Sequence, residues 1–267
     1  MGTIRPLITL TSDFGTKDPF VGQMKGVILN TNPDVEMVDI THNISPHNIR
    51  EGAVLTGLSY EYFPVRTIHI VVVDPGVGSR RRPIIVATQN HYFVGPDNGL
   101  FSMVYKKEKD SFSVTHITAE HYFLKKDSAT FHGRDVFAPV AGWLSKGIPV
   151  SHFGAEIDDF MNIHLPEPGR PSRNTIEGEV IYIDRFGNAI TNISSDLLRD
   201  SLNGGERLRI VLKGNVVSFR NCYSEVEDKD LYCLINSCGL LEFFIFRGNA
   251  AESSGIRIGD IVGIIKS

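Results

Sequence analysis

The 267 residues are enough for one large domain or two modest ones, and the apolar fraction of 42% and charged fraction of 22% are those of an ordinary globular protein. A formal net charge of -4 offers no basic field for nucleic acid, and no apolar stretch is long enough to cross a bilayer, so we expect neither a nucleic-acid nor a membrane partner. Three cysteines without metal-ligand spacing and an amino terminus without a signal peptide's apolar core favour a cytoplasmic setting.

The first part of the chain alternates strand-like and helix-like segments. Asp18 is the expected cap of the first helix, with Pro19 at its first position. Short connections and nearly continuous apolar strands favour a mainly parallel sheet covered by helices, which is an α/β domain. In chain order the sequence predicts strand 5–12, helix 19–30, strand 35–41, helix 45–63, strand 67–74, a hairpin of 83–88 with 91–99, and helix 134–147.

The composition changes near the middle of the chain. The stretch "HLPEPGRPSRN" at residues 164–174 is rich in proline and polar groups and is the best linker candidate. We therefore predict an amino-terminal α/β domain over 1–165, a linker over 166–174 and a carboxy-terminal domain over 175–267. The last domain holds only short strands with Gly and Asn turns, which favours a β-barrel or a β-sandwich. These strands are predicted at 178–184, 189–194, 207–212, 216–219, 231–236, 241–246 and 260–265.

Two aspartates follow predicted strands of the first domain. Asp13 comes after the first strand and Asp74 after the third, and ligands of open α/β sheets bind beyond the carboxyl ends of strands. A tight Pro-Gly-Val-Gly turn after Asp74 could fold Arg81 back toward its carboxylate, so that the pair orients a small anion or a water. The alternative is that both aspartates only cap their own turns and that 80–82 is a solvated charge run.

Two further loops carry polar groups suited to a ligand. His132 precedes a predicted helix, whose amino-terminal donors favour nearby negative charge, although it could equally cap or pack locally. Asp184 ends a strand and Asn188 lies beyond a Phe-Gly turn, so one loop presents an acceptor and an amide together. Phe186 between them could stack on a planar ring or belong to the core.

Eight ordered stretches together resemble one known family. They are "TLTSDFGTKDPFVGQMKGVI", "DITHNISPHNIREGA", "VVVDPGVGSRRRP", "VGPDNGLF", "TFHGRDVFAP", "IDRFGNAITNI", "INSCGLLEFF" and "RGNAAE". They are similar to the S-adenosylmethionine (SAM) hydrolases, also called SAM hydroxide adenosyltransferases, which are related to the fluorinating and chlorinating SAM enzymes. The resemblance runs from about Leu7 to the carboxy terminus. It implies an α/β domain followed by a β-barrel, and a homotrimer that holds SAM between the first domain of one subunit and the second domain of its neighbour.

The resemblance also implies a reaction and a set of residues. The hydrolytic members carry an Asp-Arg-His set that falls on Asp74, Arg81 and His132, whereas halogenating relatives have a tyrosine in place of the aspartate. Water would then attack C5′ of SAM and release adenosine and methionine, with no cofactor and no metal. The implied substrate-binding residues are Asp13 (ribose hydroxyls), Asp184 (methionine ammonium), Asn188, Asn249 and Ala250 (adenine), Phe186 and Tyr223 (rings near the purine), Ser237 (methionine carboxylate) and Glu242.

This chain departs from the halogenating members at two further positions, because His47 stands where they have a tryptophan and Cys238 where they have an arginine. Two other functions remain open from the residues. The first is a metal-dependent hydrolase with Asp13, Asp74, His132 and Asp184 as ligands, although their spacing is not close and Arg81 would repel a cation. The second is a non-catalytic sensor of SAM or adenosine, which would have no need of the Asp-Arg-His set.

Overall fold

The computed structural model describes residues 5–109, 111–125, 129–201 and 208–266. Contacts divide the chain into an amino-terminal unit, Met1–Leu165, and a carboxy-terminal unit, Pro166–Ser267. Across the described ranges, no helix has both the length and the apolar character needed to cross a membrane. Arg207, the first residue of the predicted strand 207–212, lies outside these ranges.

The amino-terminal unit is a six-stranded sheet with helices on both faces. The strand order is β2-β1-β3-β5-β4-β6; β2, β1, β3 and β5 are parallel, and β4 runs antiparallel to β5 and β6. The strands are β1 Leu7–Ser12, β2 Glu36–Thr41, β3 Ile68–Val72, β4 Pro83–Thr88, β5 Tyr92–Pro96 and β6 Phe112–His116. The helices are α1 Phe20–Thr31, α2 Ile49–Ser59, α3 Ser102–Glu108 and α4 Ala138–Ser145.

Every residue of β3 is buried, because successive side chains enter different cores on the two faces of the sheet. Ile70 packs with Met24 of α1 and Val140 of α4 in one core. Val71 packs with Val104 of α3 in the other core. A continuous apolar strand is therefore what this position in the sheet requires.

The predicted α/β domain with a mainly parallel sheet is confirmed, although several elements differ in detail. Asp18 does not cap α1, which begins at Phe20 without a side-chain cap. The predicted helix 45–63 shortens to α2, whose first turn is capped by Asn48 Oδ1 accepting from the Glu51 amide at 3.1 Å. The predicted helix 134–147 is a π-helical turn, Gly133–Phe137, followed by α4.

The carboxy-terminal unit is a closed β-barrel. Its sheet has the order β14-β10-β11-β12-β13-β9-β8-β7, and β14 also pairs with β8, so seven strands close and β7 is attached to β8. The strands are β7 Gly169–Ser172, β8 Thr175–Ile183, β9 Ala189–Ser194, β10 Leu208–Leu212, β11 Asn215–Phe219, β12 Leu231–Ile235, β13 Leu240–Ile245 and β14 Ile261–Lys266. The described part of this unit also has two short α-helices, α5 Ser195–Ser201 and α6 Ala250–Ser254, and a 3₁₀ turn at Tyr223–Glu225.

The barrel interior is filled by apolar side chains that alternate with outward-facing ones. Val180, Ile193 and Phe243 are fully buried there. The predicted β-barrel is thus confirmed and a sandwich is excluded. The exact domain and linker boundaries stay predictions, and residues 169–172 of the predicted linker form β7.

Candidate active site

Asp13 and Asp74 follow neighbouring parallel strands of the amino-terminal unit. In the pairing of β1 with β3, Ser12 lies opposite Val72, and the two aspartates come just after these positions. Both therefore lie at the carboxyl edge of the sheet, where the loops that bind ligands diverge.

A tight turn brings Arg81 back onto Asp74. The Ser79 amide donates to the Gly76 carbonyl at 3.0 Å, and Gly78 has a φ of 79°, a backbone conformation that favours glycine. Arg81 Nε lies 2.9 and 3.0 Å from the two Asp74 carboxylate oxygens, and Nη2 also donates to Oδ2. The Asp74 and Arg81 side chains are only 5% and 9% exposed, so this ion pair is buried rather than solvated.

His132 completes the cluster through the same guanidinium. Arg81 Nη2 lies 2.7 Å from His132 Nδ1. Because a guanidinium only donates, Nδ1 must accept, and the proton of the neutral ring is on Nε2. Burial and the charge of Arg81 lower the pKa of His132, and they outweigh the opposite effects of Asp74 and Asp135. The imidazole is therefore held neutral near pH 7.

One buried hydrogen-bond donor of this cluster has no partner among the described residues. Arg81 Nη1 is buried and has no hydrogen-bond partner among the described residues. Arg81 Cζ also lies 5.3 Å from the centroid of the Phe137 ring, in the π-helical turn that follows His132. Because buried donors are normally paired, the free Nη1 marks a place for a water or a ligand atom.

The two flanking arginines behave differently. Arg80 is exposed and has no hydrogen bond or ion pair to any described residue. Of the three arginines, Arg80 is therefore the one that fits the alternative of a solvated charge. Arg82 donates to Asp97 and Asp159, with Nε 2.8 Å from Asp97 Oδ2 and Nη1 2.6 Å from Asp159 Oδ1. Of the three, only Arg81 contacts Asp74.

In the carboxy-terminal unit, the β8–β9 loop is organised by one carboxylate. Asp184 Oδ1 accepts from the amides of Phe186 at 2.9 Å and Asn188 at 2.8 Å, while Oδ2 accepts from Asn188 Nδ2 at 3.1 Å. Phe186 is 75% exposed, so it is not part of the core. These residues line a cleft of about 500 Å³ together with Tyr223, Phe246, Arg247 and Asn249.

Tyr223 links this cleft to a buried carboxyl group on β13. Its hydroxyl donates to Glu242 Oε1 at 2.6 Å, and Asn236 Nδ2 donates to Glu242 Oε2 at 3.1 Å. Burial raises the pKa of Glu242, although both hydrogen bonds act against the shift. Glu242 does not line the cleft, and its contact with the cleft is the hydrogen bond from Tyr223. Sequence reasoning missed Asn236, for which the only signal was an amide next to Ser237.

The remaining predicted residues lie in two turns. Ser237 is exposed in the β12–β13 turn and does not line the cleft. Asn249 lines it and caps α6, since its Oδ1 accepts from the Glu252 amide at 2.9 Å. Ala250, the first residue of α6, is fully buried. Gly187 packs against this cap so closely that a Cβ there would lie 1.9 Å from Asn249 Oδ1.

Two other features bear on the site. Among the described residues, no group of three His, Cys, Asp or Glu side chains has a metal-binding arrangement. A cleft of about 1000 Å³ lies at the opposite, amino-terminal edge of the parallel strands, near Leu7, Ile68 and Tyr92. None of the predicted site residues lines it.

Comparison with known proteins assigns this chain to a family. Models of the SAM hydroxide adenosyltransferase N-terminal and C-terminal domains match residues 8–154 and 178–263. The chain belongs to the SAM hydroxide adenosyltransferase family. A Methanocaldococcus jannaschii protein named (R)-S-adenosyl-L-methionine hydrolase is 38% identical over 98% of this chain and 97% of its own length.

More distant relatives and a solved structure agree with the assignment. A protein of Nocardia brasiliensis named fluorinase is 27% identical over 79% of each chain. The crystal structure of an uncharacterized conserved protein from Thermotoga maritima has a TM-score of 0.89 and 32% identity, and the match covers 97% of this chain and 99% of that one. This chain therefore shares the fold of that solved structure over nearly its whole length.

Proposed function

We propose that this protein hydrolyses SAM to adenosine and L-methionine. The observation that carries the proposal is its similarity, over nearly the whole length of both chains, to a protein named (R)-S-adenosyl-L-methionine hydrolase. The partly buried Asp74–Arg81–His132 cluster at the carboxyl edge of the sheet supplies the chemistry for it.

The reaction needs a well-placed nucleophile more than an acid. The sulfonium of SAM makes methionine a neutral thioether leaving group, so departure needs little protonation. A water oxygen attacks C5′ in line with the C5′–S bond, the electron pair of that bond stays on sulfur, and the water loses one proton. Holding the water at the correct distance and angle, away from bulk solvent, is the main demand on the protein.

We assign the three residues of the cluster as follows. Arg81 uses Nε and Nη2 to fix Asp74 and His132, and its free Nη1 donates to the water oxygen, which stabilises the hydroxide character that the oxygen gains as its proton leaves. Asp74 retains lone pairs that orient the water and accept its proton. His132, neutral and protonated on Nε2, positions the guanidinium through Nδ1. The resulting hydrolysis requires no metal and no cofactor.

The other predicted residues are proposed to bind SAM. Asp13 would hold the ribose hydroxyls, and the cleft of the carboxy-terminal unit would take adenine and the methionine ammonium. Its exposed Phe186 ring and the Asn188 amide are suited to a purine face and a purine edge. Asn249 and Ala250 would contact adenine, Ser237 the methionine carboxylate, and Glu242 would act through Tyr223.

We also propose a cytoplasmic homotrimer. In that assembly each SAM would be bound by the amino-terminal unit of one subunit and the carboxy-terminal unit of its neighbour. The support for the trimer is the resemblance of the eight sequence stretches to a family whose members form such trimers.

One experiment tests the reaction. The protein is incubated with each sulfonium epimer of SAM in ¹⁸O-water with excess chelator, and the products are identified by mass spectrometry. We expect equal amounts of adenosine and methionine, with ¹⁸O on the adenosine 5′-hydroxyl because attack is at carbon, and faster turnover of the (R) form named in the relative. Methylthioadenosine or S-adenosylhomocysteine as product would refute the proposal. Activity abolished by chelator would favour a metal-dependent hydrolase, and binding without turnover would favour a sensor.

A further inference from the structure

Two loops at the carboxyl edge of the sheet are joined around Asp13. The first follows β1, and the second joins β2 to α2. The Gly15 amide donates to the His42 carbonyl at 2.7 Å, and the Ile44 amide donates to the Ser12 carbonyl at 3.4 Å. The His47 amide donates to Asp13 Oδ2 at 2.9 Å. This last bond occupies one Asp13 oxygen and leaves Oδ1 for a ligand.

A chain of buried side chains connects the same two loops. Ser12 and His42 are 2% and 7% exposed, and Ser12 Oγ lies 2.8 Å from His42 Nδ1. His42 Nε2 lies 3.2 Å from Asp39 Oδ1, close to it but not aligned as a full hydrogen bond, and Lys25 Nζ lies 2.6 Å from Asp39 Oδ2. We call Ser12, His42, Asp39 and Lys25 the relay.

The charges at its outer end fix the direction of the hydrogen bonds. In the neutral imidazole, a lone pair of Nε2 facing the Asp39 carboxylate would be repelled, so in that form Nε2 carries the proton and Nδ1 accepts from the Ser12 hydroxyl. Ser12 Oγ is then free to accept from the Phe14 amide, which lies at 3.3 Å. Through this sequence of bonds, His42 holds the backbone on both sides of Asp13.

Backbone strain also occurs at this place. His47 has a φ of 66°, an unfavourable conformation for a residue other than glycine, and its amide is the one bonded to Asp13. Such strain persists only where surrounding contacts determine it, and it concentrates at ligand sites. The bond from its amide to Asp13 Oδ2 and the bond that its carbonyl accepts from the Ile49 amide at 3.1 Å are the contacts that hold it here.

We infer that His42 is a positioning residue for the Asp13 carboxylate, and thereby for recognition of the ribose hydroxyls. The inference rests on the proposed function, because Asp13 is the ribose-binding residue there. His42 itself touches no substrate. Its loss lets the loop after β1 move, so that Asp13 no longer meets the hydroxyls at hydrogen-bonding distance.

The chain offers a closely matched control for His42. His69 on β3 is also buried, and its Nδ1 lies 2.7 Å from Thr9 Oγ1 on β1, the strand that carries Ser12. It lies well before the carboxyl ends of these strands, away from Asp13. Replacing either histidine by glutamine therefore removes a buried imidazole–hydroxyl bond to β1, but only His42→Gln affects the Asp13 loop.

The test measures binding of adenosine and of 2′,3′-dideoxyadenosine, which lacks both hydroxyls, by calorimetry. We expect His42→Gln to weaken the binding of adenosine about tenfold, as for partial loss of a hydrogen bond to a charged group. The binding of the dideoxy compound should weaken less than about twofold. Ser12→Ala should reproduce this selective loss. His69→Gln should leave the ratio of the two affinities as in wild type.

Three results would overturn the inference: no change with His42→Gln and Ser12→Ala, equal weakening of both nucleosides, or the same selective loss with His69→Gln. Because binding is measured without turnover, the outcome is separate from that of the proposed function. A wild-type protein that discriminates the hydroxyls without hydrolysing SAM would refute the reaction and leave the inference standing.

Discussion

Arg81 contacts both other members of its cluster and keeps one donor free, so its removal should affect the transition state most. We expect Arg81→Ala to lower kcat for SAM hydrolysis by about a hundredfold or more, with a much smaller change in KM. Arg81→Lys should recover little, because an ammonium cannot bond Asp74 through two atoms and also reach His132. Steady-state kinetics of adenosine release measures both quantities.

The neighbouring arginines supply the control for this prediction, but they are not equivalent. Arg80→Ala should leave kcat within about twofold, as for an exposed side chain remote from the site. Arg82→Ala would break the contacts with Asp97 and Asp159, so it should lower stability and is the poorer control. Equal activity of Arg80→Ala and Arg81→Ala would contradict the role given to Arg81.

The protonation state of His132 should set the acid limit of activity. Protonation would put a hydrogen on Nδ1, where it would face the Arg81 guanidinium, and would break the contact between them. Since the pKa of His132 lies below its ordinary value of 6.5, kcat/KM should be constant down to about pH 6.5 and fall only in more acid solution. An acid limb centred above pH 6.5, or one that persists unchanged in His132→Gln, would argue against this assignment.

At the scale of elements, the sequence predicted strongly apolar strands better than short, weakly periodic elements. β3 and the β4–β5 hairpin follow from apolar runs bounded by turn residues, and these signals are local. Helix α3 and strand β6 were missed, because "SMVYKKE" and "FSVTH" are short and only weakly periodic. Strand β7 was not predicted, because it lies in the proline-rich linker and its composition does not indicate a strand. It forms a strand because it pairs with β8.

The turn between β8 and β9 gives a test at this scale. Gly187 has a φ of 85° and meets Asn249 Oδ1, whereas Gly214, with a φ of 80°, has open space around it. Gly214→Ala should cost about 1 kcal/mol from backbone strain alone. Gly187→Ala should cost about 2 kcal/mol, because it also displaces the cap of α6, and it should weaken SAM binding. Urea denaturation of both variants measures the difference, and equal costs would show that the Asn249 contact is unimportant.

At the scale of the whole molecule, the sequence could indicate which residues belong to a site but not all of the bonds among them. Asp74 and Arg81 were predicted to meet because one tight turn joins them. Arg81 and His132 are 51 positions apart in the sequence, and Ser12 and His42 are 30 positions apart. Those pairings depend on the order of strands and helices, which local patterns do not contain. The resemblance to a family supplied the first pairing, and nothing in the sequence indicated the second.

The proposed trimer leads to a quantitative prediction. Asp74→Ala damages the amino-terminal unit and Asn188→Ala the carboxy-terminal unit, and each variant alone should have little activity. If every site combines units from two subunits, an equal mixture of the two chains places an intact amino-terminal unit beside an intact carboxy-terminal unit in about a quarter of the sites.

Co-expression of the two variants with different tags, followed by purification through both tags, isolates the mixed oligomers for assay. We expect SAM hydrolysis at roughly a third of the wild-type rate per subunit, rather than the quarter of the unselected mixture, because purification removes the oligomers of one chain type and each mixed trimer has one site in three that joins two intact units. If each site were instead built within one chain, every site would keep one lesion and mixing would restore nothing. Light scattering on the same samples gives the mass of the oligomer, and a fully active monomer would exclude shared sites whatever the mixing result.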